Sequence, residues 1–174
     1  GMVYKESGQL DEAQSSFQTA IELTPDYAEA YNQLISLALE RENFELANTY
    51  LESGLRFNPE DAFLWFNKGV ALQEQGLFDS CIVPYLTSIR YDSSITLASF
   101  NLAYVYNSKQ MYRESITRLN HVLRLKPNDV SALYLNALNY VAIDNKEKAL
   151  ESLKKALRAN PDYKEALELY EKLK

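Results

Sequence analysis

Small, large apolar and turn-forming residues recur along the chain with a fixed period of 34 residues. Pro25 and Pro59 are separated by this interval, and so are Pro127 and Pro161, while Ser93 takes the position midway between the two pairs. Repetition at such an interval is typical of stacked units, because each unit buries its apolar face only against its neighbours. The pattern therefore predicts a repeat array.

Within each unit, small and large residues follow one another at intervals of three or four, which place them on one face of an α-helix. The small positions are Ala13, Ala47, Cys81, Ser115 and Ala149, and the large ones are Phe17, Leu51, Tyr85, Leu119 and Leu153. Small residues let helix backbones approach closely, and large ones fill the space beside them. We expect pairs of antiparallel helices with the small positions buried between them.

The periodicity predicts an all-α solenoid. A helical stub over 1–7 precedes a helix over 10–23, and a single closing helix spans 164–173. The full pairs are 28–41 with 45–57, 62–75 with 79–91, 96–109 with 113–125, and 130–143 with 147–159. On the closing helix Ala166, Leu167, Tyr170 and Leu173 are expected to pack inward, since a terminal unit needs a polar outer face.

Gly69 stands inside a predicted helix, where glycine costs about 1 kcal/mol relative to alanine. We expect its missing side chain to admit a neighbouring aromatic ring, that of Tyr85.

These columns resemble the tetratricopeptide repeat family over essentially the whole chain. The resemblance is carried by the proline column together with Trp65, Gly69, Gly76, Phe78, Cys81, Tyr85 and Ser88. The chain departs from the usual residues at a few positions, where Cys81 and Ser115 replace Ala, Ser93 replaces Pro and Asn136 replaces Leu.

The resemblance implies one array over 1–174. It divides into a truncated repeat at 1–27, full repeats at 28–61, 62–95, 96–129 and 130–163, and a C-terminal capping helix at 164–174. Because the stub is short, part of the apolar face around Leu10, Phe17 and Ile21 is expected to lie open. This predicts either further repeats upstream or end-to-end self-association through that face.

The composition of the chain argues against several classes of function. The net charge of −6, from 18 basic and 24 acidic residues, argues against a nucleic-acid partner, which needs a basic stripe. No apolar run approaches the roughly 20 residues of a membrane span. The single cysteine, Cys81, excludes an internal disulfide; we expect a buried spacer, with a reactive thiol as the alternative. The sequence does not determine the cellular compartment of the chain, and we favour the cytoplasm.

No constellation for catalysis stands out. His121 is the only histidine, and with a single cysteine a metal site would depend on carboxylates. The glycines are too scattered for a phosphate loop. We therefore expect no catalytic residues, no metal, no cofactor and no enzymatic activity.

The resemblance implies that first helices line a concave groove for a peptide or partner helix. The predicted groove residues are Asn32, Ser36, Phe63, Phe66, Asn67, Val70, Leu97, Phe100, Asn101, Tyr104, Ser131, Tyr134 and Leu138. Contiguous exposed apolar surface usually marks an interface. The alternative is that packing hides some of these rings.

Some relatives hold a terminal carboxylate with paired basic residues and asparagines. No Lys or Arg stands at the corresponding positions here, so nothing would neutralise the carboxylate. The predicted function is a protein-interaction scaffold that binds an apolar or aromatic segment. The alternative is a structural or regulatory arm of a larger protein, with no peptide ligand of its own.

Overall fold

The computed structural model describes residues 1–6 and 8–174, and every regular element in this part of the chain is an α-helix. The helices are α1 Met2–Glu6, α2 Leu10–Leu23, α3 Ala28–Glu40, α4 Phe44–Phe57, α5 Ala62–Glu74, α6 Phe78–Tyr91, α7 Thr96–Ser108, α8 Tyr112–Leu125, α9 Val130–Ala142, α10 Lys146–Ala159 and α11 Lys164–Leu173. The predicted all-α fold of antiparallel helix pairs is confirmed. Ser7, part of the predicted stub, lies outside the described residues.

Each pair is joined by a short turn that contains one residue in the left-handed region. These residues are Gly8, Glu42, Gly76, Gln110 and Asp144, with φ between 54° and 76°. In the turn after α7 the backbone N–H of Gln110 donates to the carbonyl oxygen of Asn107. The backbone N–H of Met111 donates to the carbonyl oxygen of Tyr106, and both distances are 2.8 Å. This is the Schellman arrangement, which ends a helix by satisfying its last carbonyl groups.

The chain divides into two compact units, Gly1–Ser93 and Ser94–Lys174. In unit 1 one core cluster is formed by residues of α2 to α5, with Leu34, Ile35 and Leu64 fully buried. In unit 2, Leu119 and Leu153 are among the fully buried side chains. The predicted small positions Ala13, Ala47, Cys81, Ser115 and Ala149 are all fully buried, as expected for close helix packing.

The N-terminal face differs from its prediction. Phe17 is only 6% exposed, because Gly1 lies against its ring and the side chain is part of the core of unit 1. Leu10 and Ile21 are partly buried against the same core. The expectation of an exposed apolar face is therefore wrong for Phe17, whereas Leu10 and Ile21 keep part of their surface exposed.

Helix α11 closes unit 2. Ala166 is fully buried, and Tyr170 and Leu173 pack against the Leu133–Leu153 core, as predicted. Leu167 is exposed, contrary to expectation. One turn of α11 thus presents an apolar side chain beside an otherwise charged outer face.

Candidate functional site

In unit 1, two predicted groove asparagines bond to each other. Asn67 Nδ2 donates to Asn32 Oδ1 at 2.8 Å, and Asn32 Nδ2 donates to Asp61 Oδ1 at 3.4 Å. The same Asp61 oxygen accepts from Leu64 N at 2.8 Å and so caps α5. Asn32 is buried. These amides link α3 to α5 at the N-cap residue Asp61 and at Asn67.

The apolar residues of unit 1 divide into packed and exposed ones. Phe66 is partly buried, with its ring 6.1 Å from that of Tyr85 in a tilted arrangement, and Val70 packs against the core. Phe63, by contrast, is 51% exposed. Packing therefore covers part of the aromatic surface of α5, and Phe63 is the ring that it leaves accessible.

A basic residue contacts the unit 1 positions, although none stands among the predicted groove residues. Lys5 Nζ donates to Gln33 Oε1 at 2.8 Å and to Ser36 Oγ at 3.2 Å, and lies 3.8 Å from Glu40. Lys5 lies on α1, one repeat period before Leu39 of α3. A cation therefore lies beside Ser36, although no Lys or Arg stands among the predicted groove positions of unit 1.

The predicted groove residues of unit 2, hereafter the unit 2 surface, are Leu97, Phe100, Asn101, Tyr104, Ser131, Tyr134 and Leu138. Phe100 from α7 and Leu138 from α9 pack against one core cluster, which brings the two helices together. Tyr134 meets Tyr163 edge to face at 5.2 Å between ring centroids. Leu97 and Tyr104 remain 57% and 48% exposed.

An open pocket of about 170 Å³ lies at one end of the unit 2 surface. Its lining combines the predicted residues Leu97, Phe100 and Ser131 with four others, namely Thr96, Val122, Lys126 and Asp129. Asp129 accepts from Ala132 N at 2.9 Å and caps α9. The exposed Lys126, which directly precedes Pro127 of the proline column, supplies a positive charge beside the predicted residues.

Tyr134 lies in a locally negative environment. Burial raises the pKa of its hydroxyl, and the carboxylates of Glu165 and Glu168 on α11 raise it further. The hydroxyl therefore stays protonated well above neutral pH and remains available as a hydrogen-bond donor.

Cys81 and His121, the residue types that could be reactive, both contact neighbouring groups of the protein. Cys81 is fully buried, and its Sγ donates to the Phe78 carbonyl at 3.3 Å. The pKa of His121 is lowered by burial and by the neighbouring Arg124 and Arg118. Across the described residues, no three or more His, Cys, Asp and Glu side chains are placed to share a metal ion. No described helix has the length and hydrophobicity that crossing a membrane requires.

Among curated proteins, the chain is similar to the human protein O-mannosyl-transferase TMTC1. The two are 27% identical over 151 residues, which cover 84% of this chain and 17% of the relative. The chain therefore spans about a sixth of the length of that relative.

Solved structures share the fold. The crystal structure of YrrB, described as a TPR protein with an unusual peptide-binding site, is 24% identical and covers 97% of this chain and 87% of its own, with a TM-score of 0.78. The APC/C hetero-tetramer Cut9–Hcn1 gives a TM-score of 0.81 at 24% identity, over 98% of this chain and 34% of the other.

Models of repeat families match three stretches of the chain. A TPR repeat model matches residues 1–34, and tetratricopeptide repeat models match residues 32–80 and 130–163. The buried small positions Ala13, Ala47 and Ala149 lie within these stretches, and residues 130–163 contain the helix pair α9 and α10. The chain belongs to the tetratricopeptide repeat family.

Proposed function

We propose that this chain is a non-enzymatic protein-interaction module, and that the unit 2 surface binds an apolar or aromatic side chain of an extended partner segment. The observation that carries the proposal is the exposure of Leu97 and Tyr104 on one helix, beside the pocket that contains Phe100. Covering such apolar surface gains about 25 cal/mol per Å². Exposed apolar side chains around a small pocket are a typical anchor point for a partner.

The geometry favours one anchoring side chain. A pocket of about 170 Å³ accommodates a single leucine- or phenylalanine-sized group, with Leu97 and Phe100 as its apolar contacts. Ser131 and Lys126 add hydrogen-bond donors at its edge, where they can meet the partner's backbone carbonyl groups. The peptide-binding site named in the description of YrrB supports the same use of this fold.

In unit 1 we assign contact with a partner to Phe63 and a supporting role to the bonded pair Asn32 and Asn67. Ser36 accepts from Lys5 and donates to Glu40, and we assign this separate network the same supporting role. We further propose that residues 1–174 form a single array of repeats.

The test is selection of random displayed peptides on the full chain, followed by dissociation constants for the enriched sequences. Leu97→Asp is expected to weaken binding at least tenfold, because it places a carboxylate at the pocket wall. Leu167→Asp is the matched control, since Leu167 is exposed to a similar degree, 47%, but lies on α11 away from the pocket. Equal affinity of the two variants, or no enrichment of apolar residues, would contradict the proposal.

A second candidate is a structural or regulatory arm of a larger protein. It is favoured by the small share of longer chains that this sequence matches, 17% of the mannosyl-transferase and 34% of the Cut9–Hcn1 chain. Affinity capture with the full-length parent distinguishes the two. An arm would keep its associated proteins when Leu97→Asp is introduced, whereas a module that binds through the unit 2 surface would lose them.

A further inference from the structure

A larger pocket of about 360 Å³ lies in unit 2, lined by side chains of α8, α9 and α10. Its residues are Asn120, Leu123, Arg124, Leu133, Asn136, Tyr140, Lys148, Glu151, Ser152 and Lys155. The α9 members each lie two residues beyond a residue of the unit 2 surface, which is about 200° around the helix. This pocket, hereafter the cationic pocket, is therefore separate from the proposed apolar site.

The cationic pocket has an excess of positive charge. Lys155 Nζ donates to Glu151 Oε1 at 2.7 Å, and this bond lowers the pKa of Glu151, so that pair is neutral overall. Glu151 is the single acid among the described residues that line the pocket. Arg124 and Lys148 thus give it a charge of about +2, although the chain as a whole carries −6.

Neighbouring side chains hold these two cations at the pocket. Arg124 Nη2 lies 3.3 Å from His121 Nδ1, and Lys148 Nζ stands 5.6 Å from the centroid of the Tyr140 ring. A guanidinium and an ammonium group on opposite helices are suited to an anion between them, since both are donors only.

Asn136 supplies a second and independent feature. It is only 4% exposed, its Nδ2 donates to Asn120 Oδ1 at 3.3 Å, and its Oδ1 has no hydrogen-bond partner within the described part of the chain. A buried amide oxygen without a donor is unfavourable for folding. Asn120 is exposed, so its side chain can turn aside and open the amide to a ligand.

The two features together define the chemistry of a ligand. The cations require a negative charge, and the Asn136 oxygen requires an N–H donor, which a free carboxylate or phosphate dianion does not have. A peptide supplies both, the charge from a side chain and the donor from its backbone.

We propose that the cationic pocket binds an acidic peptide segment, whose anionic side chain lies between Arg124 and Lys148 and whose backbone N–H donates to Asn136. The anion is a glutamate carboxylate or a phosphoserine, which share this chemistry. Because the pocket and the unit 2 surface are on different sides of α9, this proposal holds whether or not the apolar site binds a partner.

The experiment is a titration of the isotope-labelled chain, followed by amide resonances. The probes are acetyl-Gly-Gly-X-Gly-Gly-amide peptides in which X is glutamate, phosphoserine or serine. The glutamate and phosphoserine peptides are expected to shift the resonances of Asn136 and Ser152, with tighter binding for the dianion, and the serine peptide to leave them unchanged.

Two double variants distinguish binding at the cationic pocket from a general effect of the chain's net charge. Arg124→Gln with Lys148→Gln is expected to weaken the acidic peptides at least tenfold. Arg113→Gln with Lys154→Gln changes the net charge equally on the same two helices, at exposed residues that do not line the pocket, and should change affinity less than twofold. Equal weakening by both pairs would overturn the proposal.

A third variant and two further probes test the ligand class. Asn136→Leu is expected to weaken both acidic peptides about fivefold while it raises the melting temperature, and unchanged peptide affinity would overturn the role of Asn136. Inorganic phosphate that binds as tightly as the phosphoserine peptide would overturn the assignment to a peptide. Preferential binding to phosphatidylserine vesicles would overturn it in favour of a membrane surface.

Discussion

The ring of Tyr85 on α6 lies directly against the backbone of Gly69 on α5. A Cβ atom at position 69 would come within 2.5 Å of Tyr85 Cδ1 and Cε1. The expectation that this helical glycine admits the ring is confirmed. Tyr85 is fully buried, donates through its hydroxyl to Gln73 Oε1 at 2.8 Å and contacts Phe66, so this approach also positions the aromatic face of α5.

Gly69→Ala should therefore destabilise the chain although alanine is the better helix former. Helix propensity would gain about 1 kcal/mol, but a shifted buried ring costs about 1–3 kcal/mol. We expect a net loss of about 1 kcal/mol in the free energy of unfolding, measured with urea.

Gly54→Ala is the control for Gly69→Ala. At position 54 the added Cβ would lie 3.1 Å from Leu64 Cδ2 and Tyr31 Cγ, a contact that small shifts relieve. Gly54→Ala should lower the free energy of unfolding less than Gly69→Ala does. The reverse order would show that the Tyr85 ring shifts at little cost.

The left-handed turn residues allow a reciprocal pair of substitutions. Gln110 has φ of 60°, which is unfavourable for a side chain, whereas Gly76 holds the equivalent position with φ of 74° and open space around it. Gln110→Gly should stabilise by about 0.5–1 kcal/mol and Gly76→Ala destabilise by about 1 kcal/mol. Thermal unfolding measures both, and shifts of the same sign would contradict the backbone explanation.

The 34-residue period predicted the helix boundaries to within one residue from position 10 onward. It did so because the turns and small positions that end and pack each helix are local signals. Which rings stay exposed is not local: Phe66 and Phe63 stand on the same helix, and Phe66, the more covered of the two, lies against Tyr85 of the next helix. The cations near the predicted surfaces and the burial of Phe17 depend on contacts of the same kind.

Two buried asparagines on α9 should respond in opposite directions. Asn139 is satisfied: its Nδ2 donates to Ser115 Oγ at 2.7 Å, and its Oδ1 accepts from Asn107 at 2.8 Å. Asn136 has an oxygen without a partner among the described residues. Asn139→Leu should cost about 1–3 kcal/mol, and Asn136→Leu should gain about 1 kcal/mol, because only the second removes an unsatisfied group.

Chemical denaturation of both asparagine variants under identical conditions gives the comparison. If both substitutions destabilise, the Asn136 oxygen has a partner that the structure does not show. If both stabilise, the Asn107–Asn139–Ser115 bonds do not contribute to stability.

His121 gives a pH prediction that is easy to isolate, since it is the only histidine in the chain. Burial lowers the pKa of its imidazole, and Arg124 and Arg118 lower it further, so the unfolded chain binds the proton more readily than the folded one. The stability contributed by neutral His121 is therefore complete above the ordinary histidine pKa of about 6.5 and is lost as the pH falls through the lower folded value. We expect the urea midpoint to fall between pH 7.5 and 5.5, and His121→Gln to remove most of that fall.

Arg124→Gln should reduce the fall of the midpoint in part, because one of the repelling charges is gone. Arg113→Gln, a charge change elsewhere on α8, should leave the fall unchanged. A midpoint that declines equally in the parent chain and in His121→Gln would show that other groups, such as carboxylates, cause the acid loss.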